Sequence, residues 1–356
     1  MNFVDTLKSV ELVLLTNEVP LIVGESGIGK TALARKLAKD NGWSLVVIDG
    51  NLLKEGEIGG LPIVKDNTTI YAVHSKLKEI DEEVKKGKEV LLFIDEINRC
   101  EHTVQQELMN LILNREINGY KLDDSVKIIS AMNPSGKYSS IDDYQVVDMD
   151  PAQENRFVWL SMEVDYMSWL SWAIDNDIDE DVVNFISTFP EYLHRINEND
   201  VRATPRSYER LSKVYKIYKN QKDSISKNVF LNVVRGNVGK VIAEEFMSFI
   251  ESDYKALISY NDVFSDSFDK EILKGESHTR LYLSAINILK VIESNIKNGS
   301  YDDLDKFIEF LGLYPLDLMV GIMKDIRNNY TIVYDKIIEN EKFVELYFSS
   351  YNSIRG

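Results

Sequence analysis

The residues best equipped for chemistry lie in one octet, Gly24-Glu25-Ser26-Gly27-Ile28-Gly29-Lys30-Thr31. Glycines at 24, 27 and 29 let the backbone turn its N–H groups inward, and converging N–H groups make a cradle for phosphate oxygens. Lys30 adds a full positive charge for the β- and γ-oxygens, and the Thr31 hydroxyl is a hard oxygen ligand of the kind Mg2+ takes. The octet follows the apolar run Pro20-Leu21-Ile22-Val23 and leads into Ala32-Leu33-Ala34, so it reads as strand, tight loop and helix. The helix would present its positive end to the same anion. This is the full P-loop spacing in its proper context. A glycine turn with no ligand would need neither the lysine nor the threonine.

A second group of candidates is the acid pair closing Val90-Leu91-Leu92-Phe93-Ile94-Asp95-Glu96. The apolar run predicts a buried strand, and in open α/β sheets ligands sit at the carboxyl ends of strands. Asp95 would hold Mg2+ through its water shell, and Glu96 would polarise the water that attacks the γ-phosphate. Alternation along a strand would point the two acids to opposite sides. Three further polar positions fall where the same site would need them. Asn133 ends the run Ile128-Ile129-Ser130-Ala131-Met132, Arg156 ends a short helical pattern in Ala152-Gln153-Glu154-Asn155-Arg156-Phe157, and Arg206 follows Thr204-Pro205. Thr204 as N-cap and Pro205 as first helical residue would bring the Arg206 charge and a helix dipole to the phosphates together.

The elements that must position these residues are legible as pattern. Residues 19–23, 44–49, 90–95, 126–132 and 157–163 are five apolar runs. Runs apolar on both faces predict a parallel sheet covered by helices, an α/β P-loop core. Leu77, Ile80 and Val84 recur at helical spacing, as do Val104, Leu108, Leu111 and Ile112. Beyond residue 163 strand-like runs nearly vanish. Tyr208, Leu211, Val214, Tyr215 and Tyr218 share one helix face, read as core rather than a base-stacking platform. The predicted division is a core over 1–162, a helical lid over 163–250 and a helical extension over 251–356, with the last boundary near Ser252-Asp253 and the nucleotide between core and lid.

Composition narrows the classes. Lysine and arginine number 41 against 58 acids, a formal charge of −17. Such a surface repels polyanions, so nucleic acid is disfavoured as a partner. Cys100 is the sole cysteine, which excludes an internal disulfide. The opening MNFVDTLKSVELVLLTNEVP carries acids among its apolar residues and reads as neither signal peptide nor membrane span, giving a cytoplasmic expectation. His74, His102, His194 and His278 are scattered, so no metal besides nucleotide-bound Mg2+ is expected.

As an ordered series the motifs resemble those of the AAA+ ATPases, and within them the MoxR-like branch, over about residues 3–250. GESGIGKT matches Walker A, FIDEINR Walker B, Asn133 sensor 1, Arg156 the arginine finger and Arg206 sensor 2. The resemblance implies ATP with Mg2+ as cofactor, and a homo-oligomeric ring, commonly a hexamer, in which Arg156 completes a neighbour's site. It also implies work on a protein client, often with a von Willebrand A-domain partner. Residues 57–71 look like that branch's insertion and channel-facing loop, against an ordinary connection. A McrB-like nucleotide-dependent motor is the first rival, and a GTP switch or phosphotransferase the second. Arg99 is open to two readings, pairing with Glu101 or Glu107, which is favoured, or reaching an adjacent subunit's nucleotide.

Overall fold

The computed structural model describes residues 1–134, 149–197, 200–251, 257–265, 268, 270–301 and 303–355. The boundary expected near Ser252-Asp253 lies outside them. The described chain falls into two compact units, Met1–Ser168 with Thr204–Arg206, and Trp169–Ala203 with Ser207–Gly356.

The first unit opens with α1 (Phe3–Leu14), β1 (Pro20–Val23), α2 (Lys30–Asn41) and β2 (Ser44–Asp49). A hairpin of β3 (Pro62–Lys65) and β4 (Thr68–Tyr71) precedes α3 (Ser75–Lys85), β5 (Val90–Asp95) and α4 (His102–Asn114). A second hairpin, β6 (Glu116–Ile117) and β7 (Tyr120–Lys121), leads to β8 (Lys127–Met132), α5 (Pro151–Glu154) and β9 (Val158–Ser161). Five of these strands form one parallel sheet in the order β2-β5-β8-β1-β9. They correspond to the five apolar runs of the sequence.

Alternation along β5 explains why the run is apolar throughout. Val90, Leu92 and Ile94 join Leu77, Ile80, Val104 and Leu108 in one core. Leu91 and Phe93 join Val10, Leu14, Leu33 and Leu37 in another. The sheet is therefore sandwiched between α3 and α4 on one face and α1 and α2 on the other, and neither face can be polar. By the same alternation Asp95 belongs to the α2 face, which is where Thr31 begins its helix.

Both hairpins turn on two residues with positive φ: Asp66 (49°) and Asn67 (57°) in the first, Asn118 (47°) and Gly119 (85°) in the second. That is the backbone of a two-residue turn matching strand twist. Asn118-Gly119 is a strong hairpin signal, although no hairpin was among the sequence expectations there. Every residue of β3 and β4 is exposed.

The second unit is helical, running from α6 (Tyr166–Asp175), whose first turn lies in the first unit, through α7 (Glu180–Thr188), α8 (Pro205–Asn220), α9 (Lys227–Val238) and α10 (Lys240–Glu251). Tyr208, Leu211 and Tyr215 of α8 are buried, and Tyr218 stacks on Phe230 with ring centres 4.0 Å apart. These rings are packed among one another. Six more helices follow: α11 (Tyr260–Phe264), α12 (His278–Lys297), α13 (Leu304–Leu311), α14 (Leu316–Asn329), α15 (Thr331–Ile337) and α16 (Glu341–Arg355). Residues from Ile258 to Phe343 share one core built around Ile288, Leu289, Phe307 and Ile322. Among the described residues no helix is long and apolar enough to cross a membrane.

Phe93 is fully buried at the centre of the sheet. Phe93→Ala should destabilise the first unit by about 3–5 kcal/mol, read as a lowered urea midpoint. A loss under about 1 kcal/mol would contradict this packing.

Candidate nucleotide site

The octet leaves β1, an interior strand between β8 and β9. Gly27 and Gly29 have φ of 81° and 110°, a region closed to most side chains, which lets the loop fold back before α2 starts at Lys30. A side chain at Gly27 would also strike Thr204, whose Oγ1 lies 2.8 Å from where its Cβ would stand. Thr204–Arg206 groups with the first unit, so this contact lies within it. Pro205 is the first residue of α8, as expected.

Lys30 is only 7% exposed. Its ammonium donates to the carbonyls of Gly24 (2.6 Å) and Glu25 (2.9 Å) and to Oδ1 of Asn133 (2.9 Å). Burial lowers its pKa to about 8, against the raising pull of the Asp95 and Glu96 carboxylates, with the Arg206 charge adding to the fall. Arg206 is exposed, yet near enough to be felt at Lys30. Asn133 is 1% exposed, and its Nδ2 has no hydrogen-bond partner among the described residues. A buried amide donor without a partner beside a buried ammonium is costly in isolation, and an anion within reach of both would satisfy them.

Thr31 Oγ1 donates to Asp95 Oδ2 at 2.8 Å, which places two hard oxygen donors side by side. The carboxylate that follows departs from expectation. β5 ends at Asp95, and Glu96 takes φ of 53°, a left-handed conformation uncommon for a residue with a side chain. A local backbone turn, rather than strand alternation, therefore separates the two acids. Arg99 also differs: its Nη1 straddles both oxygens of Glu96 at 3.1 Å each, so neither Glu101 nor Glu107 is its partner. Asp49, at the end of β2 and in register with Asp95, has its pKa raised by burial and then by the Glu96 charge.

Two residues at this edge were not among the candidates. Asn98, 1% exposed, donates from Nδ2 to the Asn133 carbonyl at 2.8 Å and accepts from the Asn133 N–H at 3.3 Å. Asp49 is the other, and its signal is an acid ending an apolar run, as at Asp95. Arg156 stands apart from the group. α5 ends at Glu154, two residues earlier than expected, and Arg156 lies in the following turn, exposed and without a side-chain partner among the described residues. Burial pushes the Cys100 thiol up to about 11, which leaves it unreactive.

Residues 20–157 match the AAA domain of the dynein-related subfamily. That segment is an AAA-type domain. The chain is 29% identical over 154 residues to the ATP-dependent Clp protease ATP-binding subunit ClpA homolog of Trieres chinensis, covering 39% of this chain and 15% of that protein. It is 35% identical over 85 residues to the chloroplastic ClpA homolog CD4B of Solanum lycopersicum, covering 23% of this chain and 9% of the relative. The chain thus spans 15% or less of the curated relatives it matches. Among solved structures, the RuvB Holliday junction branch migration motor of Thermotoga maritima overlaps 88% of this chain and 81% of its own, at 19% identity and a TM-score of 0.37.

The Lys30 shift has a directional consequence. Below pH 8 the free protein presents an ammonium to phosphate, whereas above it the lysine is neutral and must take up a proton on binding. Affinity for a non-hydrolysable ATP analogue should therefore fall as pH rises through about 8, by at most about tenfold per pH unit. Calorimetric titration between pH 7 and 9.5 checks this. In Lys30→Ala binding should be weak at every pH, and a flat wild-type profile would contradict the shift.

Proposed function

We propose that the chain is a MoxR-like AAA+ ATPase that hydrolyses ATP in a ring and uses the energy to remodel, assemble or activate a protein client. The observation that carries this reading is the buried Lys30–Asn133 pair, with its unpartnered amide donor, beside the Thr31–Asp95 oxygens. The ATP-binding Clp subunits among the relatives support ATP as the nucleotide. The von Willebrand A-domain partner and hexameric stoichiometry rest on the family resemblance, and the cytoplasmic setting on the character of the opening sequence. The role of 163–250 as lid rests on the resemblance as well, and 251–356 as a helical extension rests on its helical sequence pattern alone.

In this reading the octet 24–31 cradles the phosphates with backbone N–H groups, Glu25, Ser26 and Ile28 contributing main chain. Lys30 exchanges its carbonyl acceptors for β- and γ-oxygens. Mg2+ held by Thr31 and Asp95 would supply charge neutralisation at those oxygens. Asn133 offers its amide donor to the attacking water or the γ-phosphate, and Glu96 accepts the water's proton once Arg99 releases it. Arg206 adds positive charge from the first turn of α8. Arg156, exposed on its own chain, would serve the site of a neighbour. An arginine finger is worth about 10³–10⁵ in turnover, so isolated subunits should be nearly idle.

Specific ATPase activity should rise with protein concentration as rings assemble. Glu96→Gln and Arg156→Ala should each bind ATP and hydrolyse it slowly. Mixed, they should regain activity, because an interface pairing an intact Glu96 with an intact Arg156 is complete. Co-assembled mutants that remain as inactive as their components, or a fully active Arg156→Ala, would remove the shared site. A wild-type protein that neither binds nor hydrolyses ATP would remove the ATPase reading itself.

A further inference from the structure

We infer that Asn98 is a positioning residue for hydrolysis, acting through Asn133 by fixing its backbone and so the direction of its side chain. This inference rests on the ATPase reading above and extends it to a residue outside the P-loop and the acid pair.

The geometry is a two-point clamp. Asn98 Nδ2 donates to the carbonyl of Asn133 at 2.8 Å, and Asn98 Oδ1 accepts from the N–H of the same residue at 3.3 Å. Both residues are 1% exposed, so water does not compete for these groups. Asn133 lies just beyond β8, which ends at Met132, and the ladder that holds the strand no longer holds it. One side chain therefore does for Asn133 what a neighbouring strand does for the residues before it. With the backbone fixed, Asn133 Oδ1 is held on Lys30 Nζ at 2.9 Å, and Nδ2 is left as the donor without a partner.

The clamp also links the two sequence motifs. Asn98 follows Glu96 by two residues, and its segment is tied back to β8 by the bond from Ile97 N–H to the Ala131 carbonyl at 3.1 Å. The loop carrying the proton acceptor and the loop carrying the amide donor are thus joined at three points around the reacting position. A displacement of about 1 Å at such a position can cost about a hundredfold in rate. A buried asparagine bonded only to backbone could serve stability alone, and a structural role would leave no trace in the coupling to Asn133.

The test is a double-mutant cycle on the full chain, with Asn98→Ala, Asn133→Ala, the double variant and the wild type compared at saturating ATP and equal assembly. Asn98→Ala should lower kcat by about ten- to a hundredfold with KM for ATP changed less than about threefold. The double variant should be no slower than Asn133→Ala alone, because Asn98 has nothing left to position. Asn98→Asp keeps the acceptor and loses the donor, and should fall between wild type and Asn98→Ala. If Asn98→Ala does not fold, Asn98→Ser, which retains one hydroxyl, takes its place in the cycle. Losses that multiply in the double variant, or an Asn98 variant at wild-type kcat, would overturn the inference while leaving the ATPase reading intact. A wild type that neither binds nor hydrolyses ATP would overturn both.

Discussion

A buried lysine ammonium is the constraint around which the first unit is arranged. Taking a cation out of water costs several kcal/mol unless acceptors are supplied in fixed positions. The acceptors of Lys30 come from two places distant in sequence, the carbonyls of its own loop and the side chain of Asn133, 103 residues away. That meeting requires β1 and β8 to be neighbours. Their register, Val23 opposite Met132, continues into a bond from Gly24 N–H to the Met132 carbonyl at 3.2 Å. Strand order, loop and charge burial are therefore one problem with one solution. A sheet in which β1 and β8 were not neighbours would leave the ammonium without its third acceptor.

The remaining site residues take their places from that arrangement. α2 must pack Leu33, Ala34 and Leu37 against one face of the sheet, which turns its first residues toward the end of β5. The alternation that buries Leu91 and Phe93 on this face then delivers Asp95 to Thr31. The next carboxylate escapes the alternation through a left-handed turn at Glu96, where the chain leaves the sheet. Such a conformation is held by its surroundings rather than by the residue's own preference. Here the Glu96 N–H bonds to Asp95 Oδ1 at 2.9 Å, and the Arg99 N–H to the Glu96 carbonyl at 2.9 Å.

This division marks what the sequence could convey. The five strands were legible because a parallel strand covered on both faces must be apolar at every position, and the octet because its residue types exceed what a turn needs. Asn133 was legible as a polar residue ending such a run. The direction of Glu96 was not, since one left-handed residue carries no signature unless it is glycine. The partner of Arg99 was misjudged for the same reason, because the turn at Glu96 brings its carboxylate, and not those of Glu101 or Glu107, to the guanidinium. Asn98 stood in plain view between two recognisable residues. Its role depends on the register between β5 and β8, which pattern alone does not supply.

The β3–β4 hairpin shows the same dependence of local structure on distant residues. A two-stranded hairpin is marginal in water, and this one exposes Ile63, Val64, Ile70 and Tyr71. Its order must come from where it joins the core. There Asn118 Nδ2 donates to the Gly59 carbonyl at 3.0 Å, beside the Glu107 carboxylate of α4. The Ala72 N–H closes on the Leu61 carbonyl at 2.9 Å. Asn118 is itself in the turn of the second hairpin, so the left-handed residue that lets one hairpin reverse also caps the base of the other. The exposed apolar residues therefore lie along the strands, between that tied base and the polar turn at Asp66-Asn67.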